Sequence, residues 1–383
     1  MNVRRGSATD DQLRQRLALA PRVVPEDARR ANRSLLLRAL HHGGPASRAH
    51  LAKLVGLTPA TVSSVVKELL DAGIVRELGR TSGNVGKPAT VVGIEPDGRH
   101  IVSVSLSDPD CVVGAIVDLS GAVVARRTYA RGGRVGVAAV ELVVSICDEL
   151  VAAADRPVLG VGVASPGIVD PAGVVLRAAR LGWTHVDLAA ELRRRTTLPV
   201  HVANDANAAA LAHLTFGPPQ GIDFLLVRVG QGVGVGIVLD GDLFRGPRSA
   251  AGEIGHVVVD PEGAPCTCGK RGCLETVISA PILDTMLGAA GGSGDAEVLR
   301  HAGEHLGIAL ATVISALDIG DVVLSGPEPV LADDFRAAVV EAVAARTMPE
   351  ISDDLDIHRA SFGGDDVTLG AAALVLGEEI GIR

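Results

Sequence analysis

The first part of the chain follows a helical hydrophobic pattern. From Ala31, leucines recur at helical spacing until Gly43-Gly44-Pro45 interrupts the run, which predicts one helix with a buried face. Ser47 is placed to cap a second short helix, and Gly56 ends it at a tight corner. Thr58 is placed to cap a third helix, because a proline follows it where a helix tolerates proline. The pattern therefore predicts three helices with a helix-turn-helix corner.

Two short apolar segments, 74–77 and 89–94, follow the third helix and predict a β-hairpin. The loop between them is rich in glycine and carries two basic residues. Three helices followed by such a hairpin are typical of a winged helix-turn-helix, which we assign to residues 31–94. We expect residues 1–30 to form a flexible N-terminal arm.

The third predicted helix presents two different faces. Its apolar stripe would pack into the core, which leaves short polar and cationic side chains exposed. Such side chains let a helix approach base edges and phosphates in the major groove, while a basic wing lies along the backbone or minor groove. The predicted DNA contacts are Thr58, Ala60, Thr61, Ser64, Lys67, Arg80 and Lys87. The alternative is a three-helix protein-interaction module with a solvated hairpin.

Beyond residue 95 the pattern changes to apolar strands that alternate with helices. A first series runs from residue 101 to residue 164, and a second begins at residue 224. This repetition predicts two similar lobes with a cleft between them. We assign the first lobe to residues 95–205, completed by a C-terminal helix at 367–383, and the second lobe to residues 206–366.

The charge is divided unevenly between these parts. The chain carries a formal net charge of −9, but residues 1–90 carry 15 Lys or Arg against 7 Asp or Glu, a net of +8, which leaves −17 for the rest. This division favours a polyanion as the partner of the first part alone. Only 2% of the residues are aromatic, which argues against an aromatic platform for sugars or single-stranded nucleic acid. No stretch fits a membrane span or a secretory signal, so we expect a cytoplasmic protein without a membrane partner.

Three of the five cysteines lie within eight residues of one another. Glycines at 269 and 272 let this segment turn sharply, and a histidine precedes it. Three thiolates and one imidazole are the tetrahedral donor set of structural zinc, which leaves no position for an activated water. The predicted zinc ligands are His256, Cys266, Cys268 and Cys273. A redox-active thiol cluster and three unpaired cysteines in a loop are the alternatives.

Four short motifs carry a resemblance to a known family. They are Ala164-Ser165-Pro166-Gly167, Asn204-Asp205-Ala206-Asn207-Ala208-Ala209, Gly252-Glu253-Ile254-Gly255-His256 and Cys266-Thr267-Cys268-Gly269-Lys270-Arg271-Gly272-Cys273-Leu274-Glu275. The chain resembles the ROK family of bacterial repressors, open reading frames and sugar kinases from about residue 31 onwards. The resemblance implies the α/β fold class, with an N-terminal winged helix-turn-helix followed by a two-lobed actin-like (ribonuclease-H-like) domain. It also implies a homo-oligomer, either dimer or tetramer, that binds a sugar in the cleft.

The resemblance further implies which residues contact the sugar. Those at the matching positions are Gly167, Asn204, Asp205, Glu253, His256 and Glu275. Their chemistry suits hydroxyl groups, because carboxylates accept hydrogen bonds, an amide donates and accepts, and a zinc-held imidazole offers its second nitrogen. We expect the segment Arg180-Leu181-Gly182-Trp183 to tune the choice among sugars. Asn204 and Asp205 have a structural alternative, since either can cap the alanine-rich helix that follows.

A sugar kinase that this chain resembles would use Asp205 as the general base. Phosphoryl transfer also requires a cradle for the phosphates. Where the family's kinases have Asp-x-Gly-Gly-Thr, this chain has Ser105-Leu106-Ser107-Asp108-Pro109, which lacks the glycines and contains a proline without an N–H. A second glycine loop is partly kept at Gly230-Gln231-Gly232. We therefore expect no kinase activity, with Asp205 as a vestigial base.

These observations predict a sugar-responsive transcriptional regulator. We expect a repressor of carbohydrate-metabolism genes that binds double-stranded operator DNA, with a zinc-stabilised sugar cleft and a degenerate ATP site. Two alternatives remain open at this point. One is a ROK-type sugar kinase with a vestigial DNA-binding unit, and the other is a constitutive DNA-binding protein with an empty pocket.

Overall fold

The N-terminal unit has the helices and the hairpin that its hydrophobic pattern predicts. The computed structural model describes residues 25–80, 89–218, 221–292 and 294–383. This unit contains α1 (Pro25–Gly43), β1 (Ala46–Ser47), α2 (Arg48–Val55), α3 (Pro59–Asp71), β2 (Val75–Arg80) and β3 (Thr90–Ile94). The three strands form a sheet with the order β1-β3-β2. The tip of the wing, with Lys87, and residues 1–24 of the predicted arm lie outside the described residues.

The predicted caps lie at the ends of these helices. Ser47 Oγ accepts a hydrogen bond from the backbone N–H of His50 (3.2 Å) at the start of α2. Thr58 Oγ1 accepts one from the backbone N–H of Thr61 (3.2 Å) at the start of α3. Gly56 ends α2 in the left-handed conformation, with φ of 68°. The corner between α2 and α3 is therefore fixed by local hydrogen bonds that the sequence predicts.

The first helix differs from the prediction, because it begins at Pro25 and includes residues 25–30 that the sequence assigned to the arm. Proline is tolerated in the first turn of a helix. Arg29, one turn further along, forms an ion pair with Glu68 of α3. The hydrophobic pattern missed this extension because its residues are polar and are held by contacts with other elements.

The first lobe is built around a five-stranded sheet. It contains β4 (His100–Ser105), β5 (Cys111–Asp118), β6 (Val123–Ala130), α4 (Val137–Ala153), β7 (Val158–Ser165), β8 (Ile168–Val169), β9 (Val174–Ala178), β10 (Trp183–Asp187), α5 (Leu188–Arg193) and β11 (Val200–Asn204). The next helix, α6 (Asp205–Phe216), leads from β11 into the second lobe. The main sheet has the order β11-β7-β4-β5-β6, and a smaller one has the order β10-β9-β8. The smaller sheet was not predicted from the sequence.

The second lobe repeats the plan of a sheet covered by helices. It contains β12 (Phe224–Val229), β13 (Val233–Leu239), β14 (Asp242–Leu243), α7 (Glu275–Ile278), α8 (Ala280–Ala290), α9 (Asp295–Leu317), β15 (Asp321–Ser325), α10 (Glu328–Leu331), α11 (Asp333–Ala344), α12 (Pro349–Ser352) and β16 (Asp356–Arg359). Its sheet has the order β14-β13-β12-β15-β16. The last helix, α13 (Asp366–Ile380), returns to the first lobe. Within the described residues, no helix is long and apolar enough to cross a membrane.

Helices α6 and α13 pack against each other. At Gly370 a Cβ atom would lie 1.8 Å from the carbonyl oxygen of Ala208, so only glycine permits the approach of α13 to α6. At Gly162 on β7 a Cβ atom would lie 2.0 Å from the carbonyl oxygen of Ala371, which brings α13 equally close to the first sheet. Buried residues of both helices share one core with Phe224 and other residues of the second sheet. The two helices therefore connect the lobes.

A docking surface joins the winged helix-turn-helix to the body of the protein. We give this name to the contact of α1 with the ends of α6 and α13. One hydrophobic core runs through it and includes residues of α1, α3, β5 and α13, among them Leu36, Leu37, Leu40, Val65, Val117, Val375, Leu376 and Ile380. The winged helix-turn-helix is thus packed on the body and not merely tethered to it.

Polar contacts of α1 with the carboxyl end of α13 complete the docking surface. Guanidinium groups of α1 donate hydrogen bonds to three backbone carbonyls, from Arg30 to Glu378 (2.6 Å), from Arg33 to Glu379 (2.7 Å) and from Arg38 to Gly381 (2.9 Å). Cations at this end of a helix satisfy its last carbonyls and oppose its dipole. Gly381 has φ of 74°, and a Cβ atom there would lie 1.9 Å from Ser34 Oγ. The surface is therefore closely fitted as well as apolar.

Candidate ligand cleft and metal centre

The predicted zinc ligands converge on one point. One donor atom from each of His256, Cys266, Cys268 and Cys273 lies within 4.8 Å of all the others. His256 Nδ1 is 3.5 Å from Cys266 Sγ, and Cys268 Sγ is 3.6 Å from Cys273 Sγ. Ligands at zinc distances in a tetrahedron would be separated by roughly 3.3–3.8 Å. The donor set and its spacing therefore fit a four-coordinate metal ion.

Glycines shape the loop that carries the thiols. Gly272 has φ of 63°, and a Cβ atom there would lie 1.4 Å from the carbonyl oxygen of Asp260. Gly269, with φ of 94°, turns the chain between Cys268 and the strand-like segment that returns to Cys273. A side chain at 272 would push the backbone apart, so the sequence motif needs glycine there for steric reasons.

His256 connects the metal cluster to the cleft between the lobes. Its Nδ1 faces Cys266, whereas its Nε2 lies 3.9 Å from Glu253 Oε2. An imidazole held by a metal through one nitrogen has a fixed orientation and tautomer, so the other nitrogen becomes a defined hydrogen-bonding group. A metal in the cluster would therefore position the ring for a ligand in the cleft.

The structure brings all six predicted sugar-binding residues to the wall of one cleft. The lining also includes both loops that we compared with the phosphate cradles of a kinase. The described residues of the lining are Leu106, Ser107, Asp108, Pro109, Arg131, Pro166, Gly167, Ala178, Ala179, Arg180, Asn204, Asp205, Ala206, Arg228, Gln231, Gly232, Val233, Gly234, Glu253, His256, Thr267 and Glu275. Their contact with a sugar remains a prediction.

Asn204 also caps the alanine-rich helix α6, which is the structural alternative considered for it. Its Oδ1 accepts a hydrogen bond from the backbone N–H of Asn207 (3.0 Å) and caps α6. Its Nδ2 donates to the carbonyl oxygen of Gly167 (2.8 Å). Asp205 Oδ1 accepts from the N–H of Ala206 (3.0 Å), which leaves Oδ2 directed to other partners. Asn204 therefore holds the loop of Gly167 and the start of α6 together.

The acidic residues of the cleft influence one another. Burial raises the pKa of Glu253 to about 7, and the negative charges of Asp205 and Glu275 contribute to the increase. Glu275 Oε2 accepts a hydrogen bond from the N–H of Val233 (3.4 Å) and lies against Gly232, where a Cβ atom would be 2.6 Å away. These carboxyl groups therefore form a half-buried acceptor surface, as the predicted recognition of hydroxyl groups requires.

The first loop of the cleft is held by a side chain. Asp108 Oδ1 accepts hydrogen bonds from the N–H groups of Asp110 (2.8 Å) and Cys111 (3.0 Å). Burial raises the pKa of Asp108, but these bonds and the positive charge of Arg131 outweigh burial, so the pKa lies below its ordinary value. The carboxylate of Asp108 thus holds the backbone that directly follows this loop.

Arginines of the cleft were largely missed by the sequence reasoning. Arg180 was expected to tune selectivity, and its guanidinium crosses from the first lobe to the carbonyl oxygen of Gln231 and lies 3.9 Å from Glu275. Arg131 and Arg228 were not predicted. A signal existed for Arg228, because it is the only charged residue in the apolar strand β12.

The structure describes five of the predicted DNA contacts, all at the start of α3 or along it. Thr58, Ala60, Ser64 and Lys67 are exposed, and Thr61 is half-buried beside the cap. The stripe opposite them is buried in the shared core. The backbone of Arg80 ends β2, but its side chain and Lys87 lie outside the described residues. These contacts remain predictions.

Comparison with known proteins finds two families and several similar proteins. The ROK family pattern matches residues 110–378, and the MarR family pattern matches residues 30–83. The Xylose repressor of Bacillus subtilis (strain 168) is 24% identical over 371 residues, which cover 91% of this chain and 95% of that protein. A Glucokinase of Halalkalibacterium halodurans is 33% identical over 254 residues, which cover 58% of this chain and 77% of the kinase.

A solved structure extends the likeness to the whole architecture. The crystal structure of a ROK family transcriptional regulator, described as a homologue of the Escherichia coli Mlc protein, matches with a TM-score of 0.80 at 25% identity. The match covers 93% of this chain and 98% of that one. The fold, the family patterns and the four motifs agree, and the chain belongs to the ROK family, with a MarR-type winged helix-turn-helix at its N-terminus.

Proposed function

We propose that this protein is a transcriptional repressor that binds operator DNA through α3 and the wing and responds to a sugar or sugar derivative in the cleft. The Xylose repressor and the Mlc-like regulator, which match it over nearly their whole length, support the regulatory role. The carboxyl groups and the imidazole of the cleft support a hydroxyl-rich ligand.

The main support for the proposal is that helix α6 connects the cleft to the DNA-binding unit. Helix α6 begins in the cleft at Asp205 and ends on the docking surface, where the carbonyl oxygen of Thr215 is 2.6 Å from His41 Nε2 of α1. The ring of Phe216 lies 6.1 Å from that of His41. A ligand that displaces the start of α6 would therefore act on α1, provided that it binds two conformations with different affinity.

We assign the metal cluster to structural zinc. Three thiolates and one imidazole suit this ion, and four protein ligands leave no open position for catalysis. Zinc would hold His256 and the loop that leads to Glu275 against the second lobe. When bound, the ion supplies rigidity and a fixed imidazole orientation, and the residues of the chain make the contacts with the ligand.

We further propose that a homo-oligomer, either dimer or tetramer, binds an inverted-repeat operator. Two winged helices on one oligomer would meet half-sites about one helical turn or a multiple apart. The most informative experiment selects genomic fragments bound by the purified protein and then screens sugars for release of those fragments. A reproducible operator and a releasing sugar would support the proposal, and the absence of any selected fragment would refute it.

Lys67 offers a direct test of the DNA interface. Lys67→Ala should weaken operator binding, and it should reduce the slope of log affinity against log salt concentration by about one if the side chain contacts a phosphate. The control is Arg195→Ala, because Arg195 is exposed on the first lobe. An unchanged salt slope in the Lys67 variant would remove that residue from the interface.

A sugar kinase is the second candidate, favoured by the Glucokinase relative and by the presence of Asp205. Two contacts argue against it. The side chain of Asp108 is already engaged by the N–H groups that directly follow the first loop, and the guanidinium of Arg228 lies 3.6 Å from Asp205 Oδ2, where it competes for the carboxylate. The kinase candidate requires sugar-dependent ATP consumption that disappears in Asp205→Asn. Such ATP consumption would refute our proposal that the protein has no kinase activity.

A further inference from the structure

Two of the arginines that line the cleft have buried donor atoms without partners. They are Arg131, on the wall of the first lobe, and Arg228, on the wall of the second. The Nε atom of each is buried and makes no hydrogen bond with the described residues. Among the described residues of the lining, no other side chain has a buried polar atom in this condition. Because an unpaired buried donor is unfavourable, and a charged one more so, this arrangement calls for a function.

The guanidinium of Arg228 has small neighbours and no strong hydrogen bond among the described residues. Its neighbours across the sheet are Gly234 on β13 and Ser325 on β15, both small. The guanidinium lies against Gly230 of the second loop, where a Cβ atom would be 2.5 Å from Nη1. Its ion-pair partner Asp205 is 3.6 Å away, which is too far for a strong direct hydrogen bond. Arg228 therefore has unused donors between a hydroxyl-binding carboxylate and a glycine loop.

Arg131 lies on the opposite wall, directly after β6. Its backbone N–H is bonded to the carbonyl oxygen of Asp110 (2.7 Å), which fixes it beside the first loop. Its charge acts on Asp108 in that loop. The two lobes thus each contribute one guanidinium to the cleft. Arg180 differs from both, because it already donates to the carbonyl oxygen of Gln231.

We infer that the ligand of this cleft is an anionic sugar whose phosphate or carboxylate group is bound by Arg131 and Arg228. The inference rests on the proposed function and narrows its effector to one chemical class. Guanidinium groups match the planar or tetrahedral oxygens of these anions with paired hydrogen bonds. The sugar hydroxyls would face the carboxyl groups of Glu253 and Glu275. An anion held by one arginine from each lobe would also favour a closed cleft.

The test compares neutral and anionic sugars by calorimetry with the full chain. The matched sets are glucose, glucose 6-phosphate and glucuronate, the same three forms of galactose, and N-acetylglucosamine with its 6-phosphate. We expect an anionic member to bind at least about 10-fold more tightly than its neutral parent. Preference for the phosphate ester or for the carboxylate distinguishes the two sources of the anion. Arg228→Gln and Arg131→Gln should each abolish the preference.

Arg195→Gln is the matched control, because Arg195 lies outside the cleft and pairs with Asp148 at the surface. It should leave every affinity unchanged. Inorganic phosphate serves as a second probe that does not depend on the sugar. At constant ionic strength it should raise the melting temperature of the unaltered chain and of Arg195→Gln, but not that of Arg228→Gln.

Three results would overturn the inference. The first is that phosphate does not change the melting temperature of the unaltered chain, and the second is that the preference for anions survives in both arginine variants. The third is that Mg·ATP binds more tightly than every sugar anion and that this binding is lost in both variants. Release of operator DNA separates the two proposals. An anionic sugar that binds in the expected way without releasing DNA would refute the proposed function alone, whereas release by a neutral sugar only would refute this inference alone.

Discussion

The docking surface and the cleft are the two places where large parts of this molecule meet, and they are built differently. The docking surface is a continuous apolar core in which Leu36 and Leu37 are fully buried, and its arginines bind backbone carbonyls. The cleft is lined by carboxyl and guanidinium groups, and Arg180 is the described side chain that donates a hydrogen bond across it.

This difference indicates where the molecule can move. Apolar cores are densely packed and resist separation, whereas charged walls exchange partners with water and ligands at small cost. Motion should therefore occur at the cleft, and the DNA-binding unit should follow the helices on which it is docked. Four predictions test this contrast, in order of decreasing expected effect.

Removal of the metal should damage the cleft and spare the docking surface. Cys273 is fully buried, so Cys273→Ser should lose the ion and lower the stability of the second lobe by on the order of several kcal/mol. Sugar binding should disappear, while operator binding persists. Metal content, melting temperature and DNA affinity measure this outcome. The control is Cys111→Ser, which should keep the metal, and an equal metal content in both variants would contradict the assignment.

A methyl group at Gly381 should disturb the docking surface. Gly381→Ala places Cβ against Ser34 in a left-handed conformation and should cost about 2–4 kcal/mol of unfolding free energy. Gly291 ends α8 with a similar φ of 67° but has no atom within 4 Å, so Gly291→Ala should cost about 1 kcal/mol. Urea unfolding compares the two variants. Equal losses would mean that the docking surface is loosely fitted.

Acid should weaken the docking surface through His41. Burial lowers the pKa of His41 from its ordinary value of 6.5, the bond to Thr215 opposes this effect, and the charge of His42 adds to it. A histidine whose folded-state pKa is lowered binds its proton more readily when unfolded, so its contribution to stability is lost as the pH falls below about 6.5. Between pH 7.5 and 5.5, the melting temperature of His41→Gln should decrease less than that of the unaltered chain. The exposed residue His50 provides the control variant, and an equal loss in all three proteins would contradict the prediction.

The smallest effect on stability is expected for Arg180. Its side chain is 37% exposed, so Arg180→Ala should change the unfolding free energy by less than about 1 kcal/mol. The same change should accelerate dissociation of the ligand, because it removes the hydrogen bond that crosses the cleft. Stopped-flow displacement measures this rate. An unchanged rate would show that Arg180 does not hold the lobes together.

Much of the local structure could be predicted from the sequence because its causes are local. Ser47 and Thr58 cap helices through residues three positions away, and the donor cluster that ends at Cys273 lies within one short segment and the histidine before it. The predicted order of strands and helices in both lobes is likewise confirmed for its main elements.

The remaining features depend on contacts between distant segments. Arg131 and Arg228 are 97 positions apart and share a cleft only because the lobes face each other. The polar start of α1 and its contacts with the end of α13 carry no periodic signal. Arg228 could have been noticed, since a cation in an apolar strand indicates a special role. Its neighbours, however, could be known only from the folded chain.

The shared core beneath the winged helix-turn-helix has a consequence for the choice of binding sites. If two copies act on one operator, the distance and twist between their recognition helices are set by the bodies and not by a flexible linker. One extra base pair between half-sites rotates the second by roughly 35° around the DNA axis. A unit docked through Leu36 and Val375 cannot turn to follow that rotation without exposing apolar surface. We therefore expect operator binding to tolerate few changes in spacer length. The distance between half-sites would then select binding sites as strongly as their base sequence does.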